Sequence, residues 1–357
     1  MKAAIRQRAA ELGFDDCRFT TAAPPVSADK FSNWLTEKQH GEMAWLERNA
    51  DKRIDPQKVL PGAKTIIALA VSYATRDELP VTRDQLPAAT QNPKPKTQNS
   101  VGVLARYAQF KDYHDVLGEK LKTLTIFLDE LGGGTATSLW YVDTGPVLER
   151  DIAQRAGIGF VGKHTNLISR KLGNWMFLAE ILTTLELAPD APEPNHCGRC
   201  TRCLTACPTQ AITAPFQLDA RKCIAYLTIE LKGAIPVEYR RAIGSRIYGC
   251  DDCLAACPWN KFAQASQLMT PHARKDLATP DLIELLQLDA AGFKARFAGT
   301  PMLRTKRRGL LRNVCVALGN CGDATALPAL TQAAHDPEPL IAEHARWAIR
   351  EIEARHP

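Results

Sequence analysis

The residues with the most distinctive chemistry in this chain are its cysteines. The sequence has 357 residues and 11 cysteines, and eight of these fall between Cys197 and Cys257. The N-terminal segment MKAAIRQRAAELGF lacks the apolar core of a signal peptide, so we predict a cytoplasmic protein. Thiols stay reduced in that compartment, so a dense cysteine cluster there indicates bound metal rather than disulfides.

The spacing of these cysteines predicts two iron–sulfur clusters. The first run reads C-x2-C-x2-C-x3-C-P, which is typical of bacterial ferredoxins. The second run reads C-x2-C-x3-C-P and is one cysteine short, and the isolated Cys223 completes the count. In ferredoxins the last cysteine of a run serves the other cluster. That rule predicts one quartet of Cys197, Cys200, Cys203 and Cys257 and a second of Cys207, Cys223, Cys250 and Cys253.

The alternative for this region is zinc, because C-x2-C pairs also bind that metal. Zinc sites rarely use three cysteines in C-x2-C-x2-C followed by C-P, so we favour two [4Fe-4S] clusters. The remaining three cysteines are not needed for either quartet. We expect Cys315 to pack in an apolar core, and we assign no role to Cys17 and Cys321.

Two adjacent clusters form a short electron path, so the chain should also hold a terminal redox site. Asp143 follows a predicted strand at Leu139–Val142 and precedes a turn, where catalytic groups are often presented. Local sequence alone favours an aspartate that only stabilises the turn. The GIGFVG segment at 157–162 matches G-x-G-x-x-G but follows a predicted helix. We therefore favour a close-packed turn over a dinucleotide site.

A further motif is the DYH triplet at 112–114, followed by Gly118. It nearly matches D-x-H-x-x-G, the motif in which a histidine replaces the base of cobalamin, but the glycine comes one residue late. On local sequence alone we interpret His114 as a solvated or helix-capping residue.

Several elements must position these groups. Thr65–Tyr73 is predicted to be a buried strand, and Asp115–Leu131 and Glu149–Ala156 are predicted to be helices. Trp175–Leu187 is strongly apolar, and periodicity alone does not distinguish a strand from a buried helix there. Thr82–Ser100 is polar and rich in proline, so we expect an exposed loop.

Composition divides the chain into three predicted domains. We place a mixed α/β domain at 1–187, a ferredoxin-like domain at 188–265 and an all-α domain at 275–357. In the last, 312–320 resembles 343–351, which suggests a HEAT-like helical repeat, although an ordinary helical bundle remains the alternative. The hydrophobic fraction of 45% excludes disorder. The longest apolar run, 65–74, is too short to span a membrane.

The net charge of +6 permits a nucleic-acid partner without requiring one. The segment 304–312 concentrates five cations without an acidic residue. With Arg240, Arg241 and Arg246 it is a candidate phosphate-binding face, and a solvated surface is the alternative. The candidate RNA contacts are Arg304, Lys306, Arg307, Arg308 and Arg312.

Taken together, these motifs resemble the epoxyqueuosine reductase family of tRNA-modifying enzymes. The resemblance covers essentially the whole chain in order and is most specific in the segments VDTGPVLERDIAQRAGIGFVGKHTNLI and RIYGCDDCLAACPWN. The other matching segments are LPGAKTII, ARYAQFKDYHDVL, the cysteine run and RGLLRNVCVALGN. One departure lies at 108–110, where some relatives have a cysteine and this chain has none.

The resemblance implies reduction of epoxyqueuosine to queuosine at the wobble position of the tRNAs for Asp, Asn, His and Tyr. It implies two [4Fe-4S] clusters and a cobalamin whose own base is detached, held by the N-terminal domain, with the C-terminal repeat helping to hold the tRNA. Asp143 matches the proposed proton donor, a role for which burial would raise its pKa. Because the family does not use the histidine of the DYH triplet as a cobalt ligand, His114 is left out. The implied corrin contacts are Arg53, Asp143, Lys163, Asn166, Lys232, Gly233, Asp251 and Asp252.

The expected partners are a tRNA carrying epoxyqueuosine and an external low-potential electron donor, with no membrane partner, and the expected state is a monomer. Two other functions remain open from the residues alone. One is a corrinoid iron–sulfur reductase of a small molecule, similar to reductive dehalogenases, and the other is an electron-transfer module.

Overall fold

A computed structural model describes residues 1–75 and 100–355 of the chain. The predicted loop at Thr82–Ser100 therefore lies outside the described residues, apart from Ser100. No helix in those described ranges is long and apolar enough to cross a membrane. The strands are β1 Asp16–Thr21, β2 Thr65–Ser72, β3 Val103–Leu104, β4 Ser138–Tyr141, β5 Phe160–Val161, β6 Leu167–Ile168, β7 Met176–Thr183 and β8 Arg246–Tyr248.

Helices precede, separate and follow these strands. Those of the first half are α1 Lys2–Glu11, α2 Ala28–Thr36, α3 Ala44–Arg48, α4 Ala50–Arg53, α5 Tyr113–Leu131 and α6 Glu149–Ala156. Those of the cysteine region and its surroundings are α7 Arg202–Ala206, α8 Ile224–Ile229, α9 Val237–Ile243 and α10 Asp252–Ala255. The C-terminal helices are α11 Leu282–Leu286, α12 Ala290–Phe297, α13 Lys306–Cys321, α14 Leu327–Ala333 and α15 Pro339–Arg355.

The N-terminal half is built on a four-stranded sheet in the order β1-β2-β7-β4. Each neighbouring pair runs antiparallel, so the predicted mixture of helices and strands is confirmed while the strands do not form parallel crossover units. The apolar stretch at 175–187 forms β7 in the middle of this sheet. Its ambiguity in the sequence has a physical cause, because a strand buried on both faces shows no alternation of polar and apolar residues.

Helices cover both faces of the sheet. Along β2, Ile67, Leu69 and Val71 pack with α1 and α5, while the alternate residues Ile66 and Ala68 pack with α6. Successive side chains of a strand point to opposite faces, so one strand contributes to two separate cores. This double cover explains why all eight residues of β2 are buried.

Helices α5 and α6 begin next to the residues singled out in the sequence. Helix α5 starts at Tyr113, two residues earlier than predicted, because the Asp112 side chain accepts a hydrogen bond from the His114 amide and caps the first turn. Helix α6 has its predicted bounds and ends at Gly157, which has a φ of +86°. There a side chain would collide with the Ala191 carbonyl. This supports a close-packed turn at 157–162 rather than a dinucleotide loop.

The cysteine region and the C-terminal helices share a hydrophobic core. A single cluster of buried residues extends from Leu104 and Ile224 through Tyr248 to Leu310 and Ile352. Strand β3 pairs in parallel with β8 and ties the first half of the chain to this core. Cys315 is fully buried in it, as predicted.

Candidate functional site

Asp143 lies two residues after β4, on the connection that leads into α6. Its φ of +56° is in the left-handed region, which only a few per cent of residues other than glycine adopt. Its side chain is 56% exposed, so the carboxylate is open to an incoming molecule. The fold thus holds an accessible acid in a restricted backbone conformation, a combination common at functional sites.

Two side chains from the start of α5 face this carboxylate. The Tyr113 hydroxyl donates a hydrogen bond of 2.9 Å to Asp143 Oδ2, and His114 Nε2 lies 3.7 Å from the same oxygen. The opposite ring nitrogen of His114 is 2.7 Å from Asp112 Oδ1. The Tyr113 ring stacks between the His114 ring and Phe177 of β7, which fixes its orientation.

These contacts set where protons reside. Burial acts to lower the pKa of His114, but its interactions with Asp112 and Asp143 outweigh this and raise the pKa to about 9. Burial acts to raise the pKa of Asp143, but His114 and Tyr113 reverse that effect and the net pKa is lowered. The raised pKa expected for Asp143 concerned a carboxyl group buried beside a corrin, and the surrounding side chains by themselves do not produce that shift. Near neutral pH the proton is on His114 and Asp143 is a carboxylate.

A second group of side chains flanks Asp143 from other elements. Arg53, at the end of α4, donates a 3.0 Å hydrogen bond to the Val147 carbonyl, and its guanidinium lies 5.2 Å from the centre of the Trp45 ring. The Arg304 guanidinium lies 5.9 Å from that ring, and the Asp143 charge helps to raise the pKa of Arg304. Arg304, predicted as an RNA contact, is therefore also a neighbour of Asp143.

The cysteines come together from distant parts of the sequence. Cys197, Cys200, Cys203 and Cys257 line one pocket, which His164 and Trp259 also border. Burial and the charges of the other three thiols raise the pKa of Cys203 to about 11. No three His, Cys, Asp or Glu side chains of the described ranges are arranged around a single-ion position.

The other four cysteines form a second group. Burial raises the pKa of Cys253, and the neighbouring Cys250, Cys223 and Cys207 raise it further. Cys223 and Cys250 also pack on the same hydrophobic core. The two groups have the memberships that the ferredoxin crossover rule predicts.

Two of the predicted cofactor contacts lie near the first group of cysteines. The Lys163 ammonium donates hydrogen bonds to the Gly198 and Cys200 carbonyls, so it contacts the cysteine loop and not Asp143. Asn166 lies in the turn between β5 and β6, where its amide donates to His164 Nδ1.

Four other predicted contacts fall near the second group of cysteines or at the surface. Asp252 forms an ion pair of 2.6 Å with Arg246, and the Asp251 carboxylate accepts from the Arg106 amide. Lys232 and Gly233 are exposed, and nothing lies within 4 Å of a Cβ built on Gly233.

The basic stretch does not form one uniform surface. Lys306 and Arg308 are exposed, whereas Arg307 pairs with Asp336 at 2.6 Å and Arg304 pairs with Glu230 at 2.8 Å. Arg312 is fully buried. Of the three cations expected to extend this face, Arg240 is also buried, and Arg241 and Arg246 each pair with an acidic side chain.

The prediction that Arg312 binds phosphate is wrong. Its guanidinium donates hydrogen bonds to the carbonyls of Leu227, Leu231 and Gly233. Burial lowers its pKa to about 10, which leaves it charged at neutral pH. Arg312 therefore holds the chain around Gly233 in place from the inside of the molecule.

Comparisons with known proteins agree with this geometry. Residues 196–260 match the family model for a 4Fe-4S double cluster binding domain, and residues 53–144 match the model described as Epoxyqueuosine reductase QueG, DUF1730. The epoxyqueuosine reductase of Xanthomonas campestris is 41% identical over 348 residues, covering 97% of this chain and 95% of that protein.

The chain belongs to the epoxyqueuosine reductase family.

Solved structures of that family have the same fold. An epoxyqueuosine reductase bound to an epoxyqueuosine-modified stem loop of tRNA-Tyr is 35% identical, with a TM-score of 0.86 and coverage of 98% of this chain and 90% of that one. The Bacillus subtilis enzyme, solved with its catalytic aspartate loop swung out of the active site, is 34% identical with a TM-score of 0.85 and the same coverage. As a family member, the chain carries a double [4Fe-4S] cluster domain at 196–260.

Several residues around Asp143 were not predicted from the sequence. Trp45 carried no signal, Tyr113 was noted only as part of the DYH triplet, and His114 was left out because the resembling family does not use it as a cobalt ligand. Glu180 did carry one, since it is a charged residue in the middle of the apolar segment MFLAEIL. A charged residue in a buried strand needs a partner or a bound proton, and this was a reason to single it out.

Proposed function

We propose that this protein reduces epoxyqueuosine to queuosine in tRNA, with electrons that pass from an external low-potential donor through two [4Fe-4S] clusters to cobalamin. Membership of the epoxyqueuosine reductase family carries this proposal, and the related structure with a modified stem loop supports the substrate. The reaction converts an epoxide to an alkene and water, and it consumes two electrons and two protons.

The eight clustered cysteines are the proposed cluster ligands, in the two quartets given above. Thiolates are the usual ligands of [4Fe-4S] clusters, and four of them surround a shared pocket. The thiol protons must leave when iron binds, since the thiolate is the form that coordinates metal.

The surroundings of Asp143 also fit a cobalamin. Trp45 Nε1 and Arg53 Nε are buried and have no hydrogen-bond partner among the described residues. Such N–H groups suit the amide oxygens at the edge of a corrin. We propose that Arg53, with Asp143, Asn166, Lys232 and Gly233, holds the cofactor, while Lys163, Asp251 and Asp252 act nearer the clusters. When bound, cobalamin would supply the reduced cobalt centre for the epoxide.

In the proposed mechanism Asp143 delivers a proton to the epoxide oxygen. His114 Nε2 holds a proton 3.7 Å from the Asp143 carboxylate, and the Tyr113 hydroxyl orients that carboxylate. Transfer from His114 to Asp143 and on to the developing alkoxide is general acid catalysis in two short steps. The Bacillus subtilis enzyme was solved with its catalytic aspartate loop swung out of the active site. This supports a catalytic role for the loop that carries Asp143 in this chain.

For the tRNA we propose a contact surface formed by Arg304, Lys306, Arg307 and Arg308. Cations on an exposed helix start attract phosphates regardless of sequence. We further propose that residues 275–357 form a HEAT-like repeat beside domains at 1–187 and 188–265, and that the protein acts as a cytoplasmic monomer.

The decisive experiment uses protein loaded anaerobically with iron, sulfide and cobalamin. With a low-potential reductant and tRNA that carries epoxyqueuosine, nucleoside mass analysis should show the loss of one oxygen atom. If the epoxyqueuosine in the tRNA is unchanged, the proposal is contradicted. Reduction of an organohalide in its place would favour a small-molecule reductase, and cluster oxidation without either product would favour an electron carrier.

Substitution of Asp143 tests its role in the same assay. Asp143→Asn removes the relay while keeping the side-chain shape, so turnover should fall about a hundredfold or more. Cluster absorbance and tRNA affinity should not change. Turnover near the wild-type level would show that Asp143 only stabilises its turn.

A further inference from the structure

Glu180 is an unusual residue for the centre of a sheet. It lies on β7, directly opposite Ala68 of β2 and Tyr141 of β4. Its side chain is fully buried, and neither carboxyl oxygen accepts a hydrogen bond from an N–H or O–H group of the described residues. A buried carboxylate without a donor is costly, so the group must find a proton or a partner.

The carboxyl group of Glu149 is the polar neighbour of Glu180. Glu149 opens α6, which packs on the face of the sheet that Leu178 and Leu182 of β7 also share. Its Oε1 is buried and lacks a donor as well. The two carboxyl groups are within hydrogen-bonding reach of each other. Two ionised carboxylates cannot form that bond, so it requires a proton between them.

The charges around this pair are unbalanced. Asp143 acts on both glutamates from the β4–α6 connection, while Arg150 and Arg53 face Glu149 from α6 and α4. Burial, followed by the charge of Asp143, raises the pKa of Glu149 to about 8, and burial also raises the pKa of Glu180. Two carboxyl groups that share a site commonly retain one proton for this reason.

We propose that Glu149 and Glu180 share a buried proton and pass it to Asp143, which makes them the proton store behind the catalytic acid. The inference rests on the proposed function. Reduction of the epoxide uses two protons, and His114 holds only one. After Asp143 has given its proton to the substrate oxygen, the glutamate pair returns one to the Asp143 carboxylate. The pair then carries two negative charges until it takes a proton from water.

The proton itself is observable without turnover. In cluster-loaded wild-type protein at neutral pH, infrared spectroscopy should show the carbonyl stretch of a protonated carboxylic acid, which weakens as the pH rises through about 8, where Glu149 titrates. The double variant Glu149→Gln/Glu180→Gln should remove this band, because neither side chain can then carry the shared proton. The matched control is Glu186→Gln, an exposed glutamate just beyond β7 that pairs with Lys64, and it should keep the band.

Kinetics then test the role of the pair. In Glu180→Gln, kcat at neutral pH should fall about tenfold, while KM for the tRNA stays constant and the alkaline limb of the pH profile moves away from its wild-type position near pH 8. Glu186→Gln should match the wild type in kcat and in pH profile. A purely structural role for Glu180 would lower the yield of folded protein without moving the pH profile.

These experiments distinguish a failure of this inference from a failure of the proposed function. Absence of the infrared band in the wild type, or an unchanged kcat and pH profile in Glu180→Gln, overturns the inference. If Glu180→Gln does not fold, Glu149→Gln at the half-buried partner gives the same test. Absence of turnover in the wild type is a failure of the proposed function, and the infrared result still decides whether the pair holds a proton.

Discussion

The carboxylate of Asp143 is surrounded by groups that keep it ionised. Tyr113 donates to it and His114 lies beside it as a cation, so the residue matched to a proton donor starts without a proton. A carboxylate with a low pKa releases a proton quickly once it receives one. This arrangement makes Asp143 a relay and places the stored protons on its neighbours.

Replacement of His114 tests where the first proton is held. His114→Gln keeps a hydrogen-bonding side chain but cannot carry the charge, so kcat should fall about a hundredfold. The pKa of His114 is raised from 6.5 to about 9 on folding, so its contribution to stability is complete below pH 6.5 and is lost as the pH rises through 9.

Thermal unfolding measured between pH 6.5 and 9 checks the second part of this prediction. The wild type should lose stability over that interval, and His114→Gln should show a flatter profile. A variant with wild-type kcat and a wild-type profile would show that His114 is neutral in the protein.

Individual residues differed in how well the sequence revealed them. Spacing predicted the two cysteine quartets, because cluster ligation imposes a fixed pattern on the chain, and the structure brings the members of each quartet near one another. Arg312 was misassigned because a charge run in the sequence does not show which side of a helix faces the core. The Glu149–Glu180 pair joins residues from two elements, and no local pattern indicates which acids will meet.

The central sheet explains both the success and the failure of secondary-structure prediction. Strand β2 and helix α6 were predicted from composition and turns, and both formed. Strand β7 was ambiguous because helices cover both faces of the sheet, which removes the alternation that identifies a strand. The helices on both faces of the sheet also bury Glu180. The burial that made β7 ambiguous in the sequence therefore also places an acidic side chain inside the protein.

Helices α13 and α15 pack closely at Gly319. A Cβ at this position would collide with the Trp347 ring and lie 3.0 Å from the Ala348 Cα. Gly319→Ala should therefore destabilise the protein by about 1–3 kcal/mol, since a packed interface resists added volume. Chemical denaturation measures the change.

Gly309 on the same helix provides the matched control. A Cβ there meets only Thr305 at 3.4 Å, an ordinary contact. Gly309→Ala should be neutral or stabilising by up to about 1 kcal/mol, because alanine is the better helix former. Equal destabilisation by both substitutions would contradict the close contact between α13 and α15.

The molecule as a whole has a modest positive charge of +6, and its distribution matters more than its sum. Most cations of the segment 304–312 are engaged in ion pairs or buried. The exposed Lys306 and Arg308 are therefore the strongest candidates for phosphate contact. The expected charged surface is narrower than the sequence suggests, and it lies near Arg304 and hence near Asp143.

Two substitutions separate surface charge from internal support. Lys306→Ala should weaken tRNA binding and reduce the slope of log affinity against log salt by about 1, with no change in stability. Arg312→Ala should lower the free energy of unfolding by about 3 kcal/mol, because it leaves the buried Leu227 carbonyl and the part-buried Leu231 and Gly233 carbonyls without this donor. Salt-dependent binding and thermal unfolding report the two effects, and reversed outcomes would contradict the burial of Arg312.

The interleaving of the cysteines has a consequence for when the clusters can be loaded during protein synthesis. The pocket around Cys197, Cys200 and Cys203 is closed by Cys257, and Cys207 joins the thiols at Cys223, Cys250 and Cys253. During synthesis the second group is complete only after residue 253, and the first only after residue 257. The hydrophobic core that supports the second group also needs helices from the last third of the chain. Iron–sulfur loading is thus a late event in synthesis, and a chain terminated before residue 253 lacks a full ligand set for either cluster.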